Sequence, residues 1–169
     1  MKMTHLLMGL ALTSSHMLAH ATTLAPNVAP SDELSGIWRT IDDRTGFSKA
    51  LVRIEKTKDG SYQGTIVKIL PRPDYTPQEF CQHCPPPYSN KPILGLTVLM
   101  GLKPEEQEHR YGGAKVLDPL SGRIYSGKAR LSSDGRRLSM RGYVGVSMLG
   151  RSQSWVRESE EALKADKFD

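Results

Sequence analysis

Two Asp-Gly pairs, Asp59-Gly60 and Asp134-Gly135, constrain this chain more than any other feature. Each sits between runs whose apolar residues recur at every second position. Asp-Gly accepts the positive φ that tight hairpin turns need, so each pair joins two antiparallel strands. Before the first turn, residues 47–56 place Ala50, Val52 and Ile54 on one face and Arg53 and Glu55 on the other. After it, residues 62–70 place Thr65, Val67 and Ile69 together. Around the second turn, residues 123–131 group Tyr125, Gly127, Ala129 and Leu131, and residues 137–144 group Leu138, Met140 and Val144. Further strands are expected over 36–40, 111–117 and 152–157, with a turn at 118–122.

Strands at this spacing, with no helical pattern between them, mean meander connections. Roughly eight strands in about 125 residues suit a single antiparallel up-and-down β-barrel, with a β-sandwich as the alternative. The barrel is favoured because closure removes the edges a meander otherwise exposes. A hydrophobic share of 38% is that of an ordinary globular chain. No apolar run reaches the length of a membrane-spanning helix, so no transmembrane segment is expected. Two cysteines are too few for a disulfide-built mini-protein.

The first residues stand apart. Lys2 and His5 precede the apolar stretch Leu6–Leu12, and Ala19-His20-Ala21 forms a small-x-small cleavage site. That is the pattern of a secretory signal peptide over 1–21, which predicts an exported protein, periplasmic or secreted, beginning at Thr22. Pro26 and Pro30 mark 22–33 as a linker. The barrel domain is expected over 34–158, followed by a polar tail over 159–169 in which a short helix is possible. The full chain carries a formal net charge of +5, and loss of Lys2 leaves +4.

Two segments are apolar on both faces of an extended chain: residues 93–102, with Leu96, Val98 and Met100, and residues 142–150, with Tyr143, Val146 and Met148. Central strands, strands lining a ligand cavity and strands meeting a partner all look like this. These six residues are the candidate cavity lining.

Gly36-Ile37-Trp38 with an arginine near the last strand resembles the lipocalin signature. The resemblance implies that Trp38 closes one end of an eight-stranded barrel. It also implies that Arg151 or Arg157 lies across the indole as a cation–π partner. A more extensive resemblance rests on residues 36–43 (GIWRTIDD), 91–96 (KPILGL) and 150–155 (GRSQSW). It is to the small exported bacterial proteins known as domain of unknown function 2147. It implies a lipocalin-like, calycin-type barrel and export, and no settled activity.

The search for catalytic chemistry is mostly negative. The chain has no phosphate-binding loop, no dinucleotide fingerprint and no nucleophile elbow. Asp42 and Asp43 read better as turn residues with Thr45 and Gly46 than as paired acids. Cys81-Gln82-His83-Cys84 admits a disulfide, a redox pair or half a zinc site. Pro85-Pro86-Pro87 forbids a helix running on from Cys84. In an oxidising compartment the disulfide reading is favoured, pinning a proline-rich loop. No cofactor and no metal are expected. Arg130, Arg136, Arg137 and Arg141 gather around one hairpin without interleaved aromatics, which disfavours nucleic acid and fits a solvated face or an anionic envelope surface.

The leading expectation is therefore a non-catalytic exported binding protein for a small apolar or amphipathic ligand. The alternative is an envelope structural or interaction module with a filled barrel and a protein partner. A thiol or redox role through Cys81 and Cys84 comes third.

Overall fold

In the computed structural model, residues 33–72, 75–146, 148 and 150–165 are described. The signal peptide, all of the linker except Glu33, and the last four residues of the tail lie outside the described residues. Eight strands follow one another: β1 (Gly36–Ile41), β2 (Ser48–Lys56), β3 (Tyr62–Ile69), β4 (Thr97–Pro104), β5 (Arg110–Leu117), β6 (Ile124–Leu131), β7 (Arg137–Tyr143) and β8 (Arg151–Glu158). Each pairs antiparallel with its neighbours, and β1 pairs with β8 through Trp38↔Arg157 and Thr40↔Trp155, so the sheet is a closed barrel. The barrel is the form expected over the sandwich.

Carboxylates shape three of the tight connections between strands. At β2–β3, Asp59 accepts from the Ser61 hydroxyl at 2.9 Å, and Gly60 supplies φ 82°. At β6–β7, Asp134 accepts from the Arg136 N–H at 3.1 Å, with Gly135 at φ 69°. At β5–β6, Asp118 accepts from the Leu120 N–H and the Ser121 hydroxyl. Such side chains imitate a backbone turn and release the strands on either side at a fixed register.

In an antiparallel meander, alternate connections fall at opposite ends. The β2–β3, β4–β5 and β6–β7 hairpins gather at one end with the start of β1. The β1–β2, β3–β4, β5–β6 and β7–β8 connections gather at the other. Inward residues near the first end fill the barrel: Trp38, Ile54, Leu102 and Leu138 are fully buried, and Tyr62 meets Tyr111 edge-to-face at 5.9 Å. A smaller cluster of Ile37, Leu51 and Leu70 forms separately and includes Ala162. Ala162 belongs to a 3-10 turn, Glu160–Leu163, that Arg53 ties down through Glu160 at 2.7 Å. The described part of the tail, residues 159–165, thus holds one short turn packed through Ala162.

Three local expectations change. On β3 the buried face is Tyr62, Gly64 and Ile66, and Val67 joins the second cluster on the other side of the strand. Residues 93–96 are not strand: Ile66 and Leu96 bond backbone to backbone at 3.0 Å, and β4 begins at Thr97. Residues 142–150 are not a central strand either. Beyond Tyr143 they form the β7–β8 connection, with Gly145 at φ 68°. Apolar composition there marks an exposed loop, not a doubly buried strand.

Candidate functional site

The alternation along β8 sets the interior of the barrel, because Arg151, Gln153, Trp155 and Arg157 share one face. Arg157 lies at the filled end. Its guanidinium carbon stands 4.3 Å from the centre of the Trp38 indole. It donates to the carbonyls of Gly135 and Ser35 at 2.8 Å each and to that of Glu33. Trp38 donates its own N–H to Leu34 at 2.8 Å. One arginine therefore laces the entry of β1 to the β6–β7 hairpin across the indole and closes this end. Arg151 does not share the role. It sits at the opposite end of β8 and pairs with Asp43 at 3.0 Å.

Above this plug a cavity of about 820 Å³ opens toward the other end. Its deeper wall is apolar: Val52, Ile66, Val98, Val116, Met140 and Trp155 line it. Trp155 is 4% exposed, and its indole N–H has no hydrogen-bond partner among the described residues. Gly142 contributes bare backbone to the same wall, and a Cβ there would meet Tyr125 only at ordinary contact distance, 3.5 Å. The mouth is polar and charged, with Arg44, Lys49, Arg72, Arg123 and Arg151 alongside Asp42, Asp43 and Asp118.

Asp42 is buried among these groups. Burial raises its pKa, but the Lys49 ammonium at 2.6 Å and the backbone N–H groups of Thr45 and Arg44 outweigh that. The carboxyl is held well below the usual carboxylate range. Asp42 and Asp118 both accept from turn backbone, so neither is a loose acid. Arg72 stacks on two rings, with its guanidinium carbon 4.0 Å from the centre of Tyr75 and 5.6 Å from that of Phe47.

The long β3–β4 connection forms one side of the mouth. Cys81 and Cys84 are placed as a disulfide pair with Cα atoms 5.4 Å apart, and both are buried. Their loop packs on the β5–β6 turn. At Gly122, with φ 71°, a Cβ would fall 1.9 Å from the His83 carbonyl oxygen, so only glycine permits this approach.

Of the six residues expected to line the cavity, Val98 and Tyr143 do so. Leu96 is buried in the core instead. Met100 lies beneath Tyr88, whose hydroxyl donates to its sulfur at 3.1 Å. Val146 and Met148 are 62% and 87% exposed on the β7–β8 connection, outside the cavity. The residues missed include Val52, Ile66, Val116, Met140, Gln153 and Trp155 on the wall, and Arg72 and Arg123 at the mouth. The alternation of β8 carries the signal for Gln153 and Trp155. No comparable sequence signal marks the two arginines.

Comparison with known proteins agrees with this geometry. The profile of a family described as an uncharacterized protein conserved in bacteria (domain of unknown function 2147) matches residues 36–157. No curated protein matches the chain. The chain is similar to the solved structure of protein HP1028 from the human pathogen Helicobacter pylori, described as belonging to the lipocalin family. The TM-score is 0.64 at 22% identity, over 80% of this chain and 92% of that one. That likeness is one of fold. An eight-stranded meander plugged by Trp38 and Arg157, together with a match spanning all eight strands, places this chain in the domain of unknown function 2147 family, with a lipocalin-like barrel.

Proposed function

We propose that the protein binds one small apolar or amphipathic molecule inside its barrel, without catalysis, as an exported protein of the cell envelope. The cavity carries this reading. A volume of about 820 Å³ falls in the range of small-molecule sites, and its apolar wall beneath a charged mouth matches an apolar body with a polar end. The barrel is thus open at one end, which counts against a purely structural module with a filled interior. The burial of both sulfurs under the β5–β6 turn favours a structural disulfide over thiol exchange.

The two tryptophans give a direct test. Trp38 is sealed in the plug and Trp155 lines the cavity, so a Trp38→Phe protein reports from the cavity alone. Titration with the neutral probe N-phenyl-1-naphthylamine is expected to saturate at one probe per chain, with energy transfer from Trp155. Unsaturable uptake, or none, contradicts the reading. Export is checked separately: the protein from its own host should begin at Thr22, and a chain still starting at Met1 would reject it.

A further inference from the structure

The charged side chains that line the cavity do not cancel. Among the described residues, Arg44, Lys49, Arg72, Arg123 and Arg151 stand against Asp42, Asp43 and Asp118. Each of the three carboxylates is already engaged. Asp42 takes the Lys49 ammonium at 2.6 Å and two turn N–H groups. Asp43 takes Arg151 at 3.0 Å. Asp118 accepts from the Leu120 N–H and the Ser121 hydroxyl of its own turn. The guanidinium groups of Arg44, Arg72 and Arg123 pair with no carboxylate among the described residues.

These three arginines come from separate parts of the chain. Arg44 belongs to the β1–β2 connection, Arg72 to β3–β4 and Arg123 to β5–β6. Three connections thus bring one such guanidinium each to a single opening. Arg72 is also held in place, stacked on Tyr75 and Phe47. Rings engage the face of a guanidinium and leave its in-plane N–H groups to donate elsewhere. A guanidinium positioned in this way loses less freedom on meeting a ligand than a loose side chain does. Below the arginines, the apolar wall around Val116, Met140 and Trp155 offers burial to a hydrocarbon chain and no compensation to a charge.

We propose that the molecule held in the barrel is an amphiphile with an oxyanion head, a carboxylate or a phosphate, its chain against Trp155 and its head among Arg44, Arg72 and Arg123. The inference rests on the cavity reading above and adds the sign of the head. A cationic head would meet three positive groups at the opening. A neutral head would be tolerated, but would leave the guanidinium groups to water. An oxyanion converts them into charge-assisted hydrogen bonds, about twice as strong as neutral ones, and fits the fork of a guanidinium in two-bonded geometry.

Four amphiphiles of equal chain length test this: decanoate, decyl phosphate, 1-decanol and decylammonium. Each is titrated against bound N-phenyl-1-naphthylamine near neutral pH, and its own binding is checked by calorimetry. At least one oxyanion is expected to bind roughly tenfold or more tighter than 1-decanol, with decylammonium weakest. The tighter of the two oxyanions identifies the head. Added salt should weaken the oxyanions and not 1-decanol. In the double variant Arg72→Gln, Arg123→Gln, the ratio of oxyanion to 1-decanol affinity should fall several-fold. A general loss of fit cancels in that ratio, and the melting temperature checks the fold. The native comparison stands by itself if the variant does not fold. If 1-decanol or decylammonium binds the native protein as tightly as either oxyanion, the anionic head is overturned and the cavity reading survives. An unchanged ratio in a folded double variant overturns the placement of the head at these arginines. Binding of none of the four overturns the proposal and the cavity reading together.

Discussion

At Trp38 the indole is fixed by its bond to Leu34 and by the Arg157 guanidinium over its face. Trp38→Ala should cost roughly 3–5 kcal/mol, as for other buried large aromatics. Arg157→Leu should exceed a bare cation–π loss, reaching about 2–4 kcal/mol, because three carbonyls lose their donor. Arg151→Leu breaks only an exposed pair and should cost less than about 1 kcal/mol. Urea unfolding of the three variants separates these values, and equal costs for the two arginines would contradict the assignment. The tryptophan was legible in the sequence, while the choice between the arginines was not. Both share the inward face of β8, and only the direction of the strand decides which end each reaches.

Asp42 supplies a pH dependence at the same scale. Its pKa is depressed in the folded protein, so it stabilises the fold above the unfolded value of about 4. That contribution is lost as pH falls toward the folded value. Asp42→Asn should therefore lower stability near neutrality and flatten the loss on acidification below about pH 4. Thermal melts from pH 7 to pH 2 check this, and parallel curves for the two proteins would contradict it.

At the scale of elements, glycines with similar φ angles have different consequences. Gly60→Ala meets only the backbone strain of a positive φ, with open space around it, and should cost about 1 kcal/mol. Gly122→Ala must also displace the His83 carbonyl, so it should cost more and lift the disulfide loop from the β5–β6 turn. Limited proteolysis of residues 76–92 should accelerate in Gly122→Ala and not in Gly60→Ala. The hairpins were legible because Asp-Gly and strict alternation are local signals. The β7–β8 connection was misread for a physical reason. An apolar, glycine-rich run is equally suited to a doubly buried strand and to an exposed rim, and composition alone does not distinguish them. The β3 face was missed because both alternate sets of the strand carry apolar residues, Tyr62 and Ile66 on one and Val67 and Ile69 on the other, and each set finds a cluster to pack against.

For the whole molecule, barrel closure followed from the meander, but the cavity did not. It depends on side chains from all round the barrel leaving space above the Trp38 plug, and on a bare glycine at Gly142. Single-strand patterns identify which residues point inward. They do not show how far the opposite wall stands. The most direct measurement is therefore the affinity of Gly142→Leu for N-phenyl-1-naphthylamine, taken with its melting temperature. A Cβ at this position makes ordinary contact with Tyr125, and the rest of the leucine is expected to occupy part of the void. Affinity should fall roughly tenfold or more, with melting unchanged or raised. Unaltered affinity in a folded Gly142→Leu protein would place the probe elsewhere and contradict the cavity as the binding site.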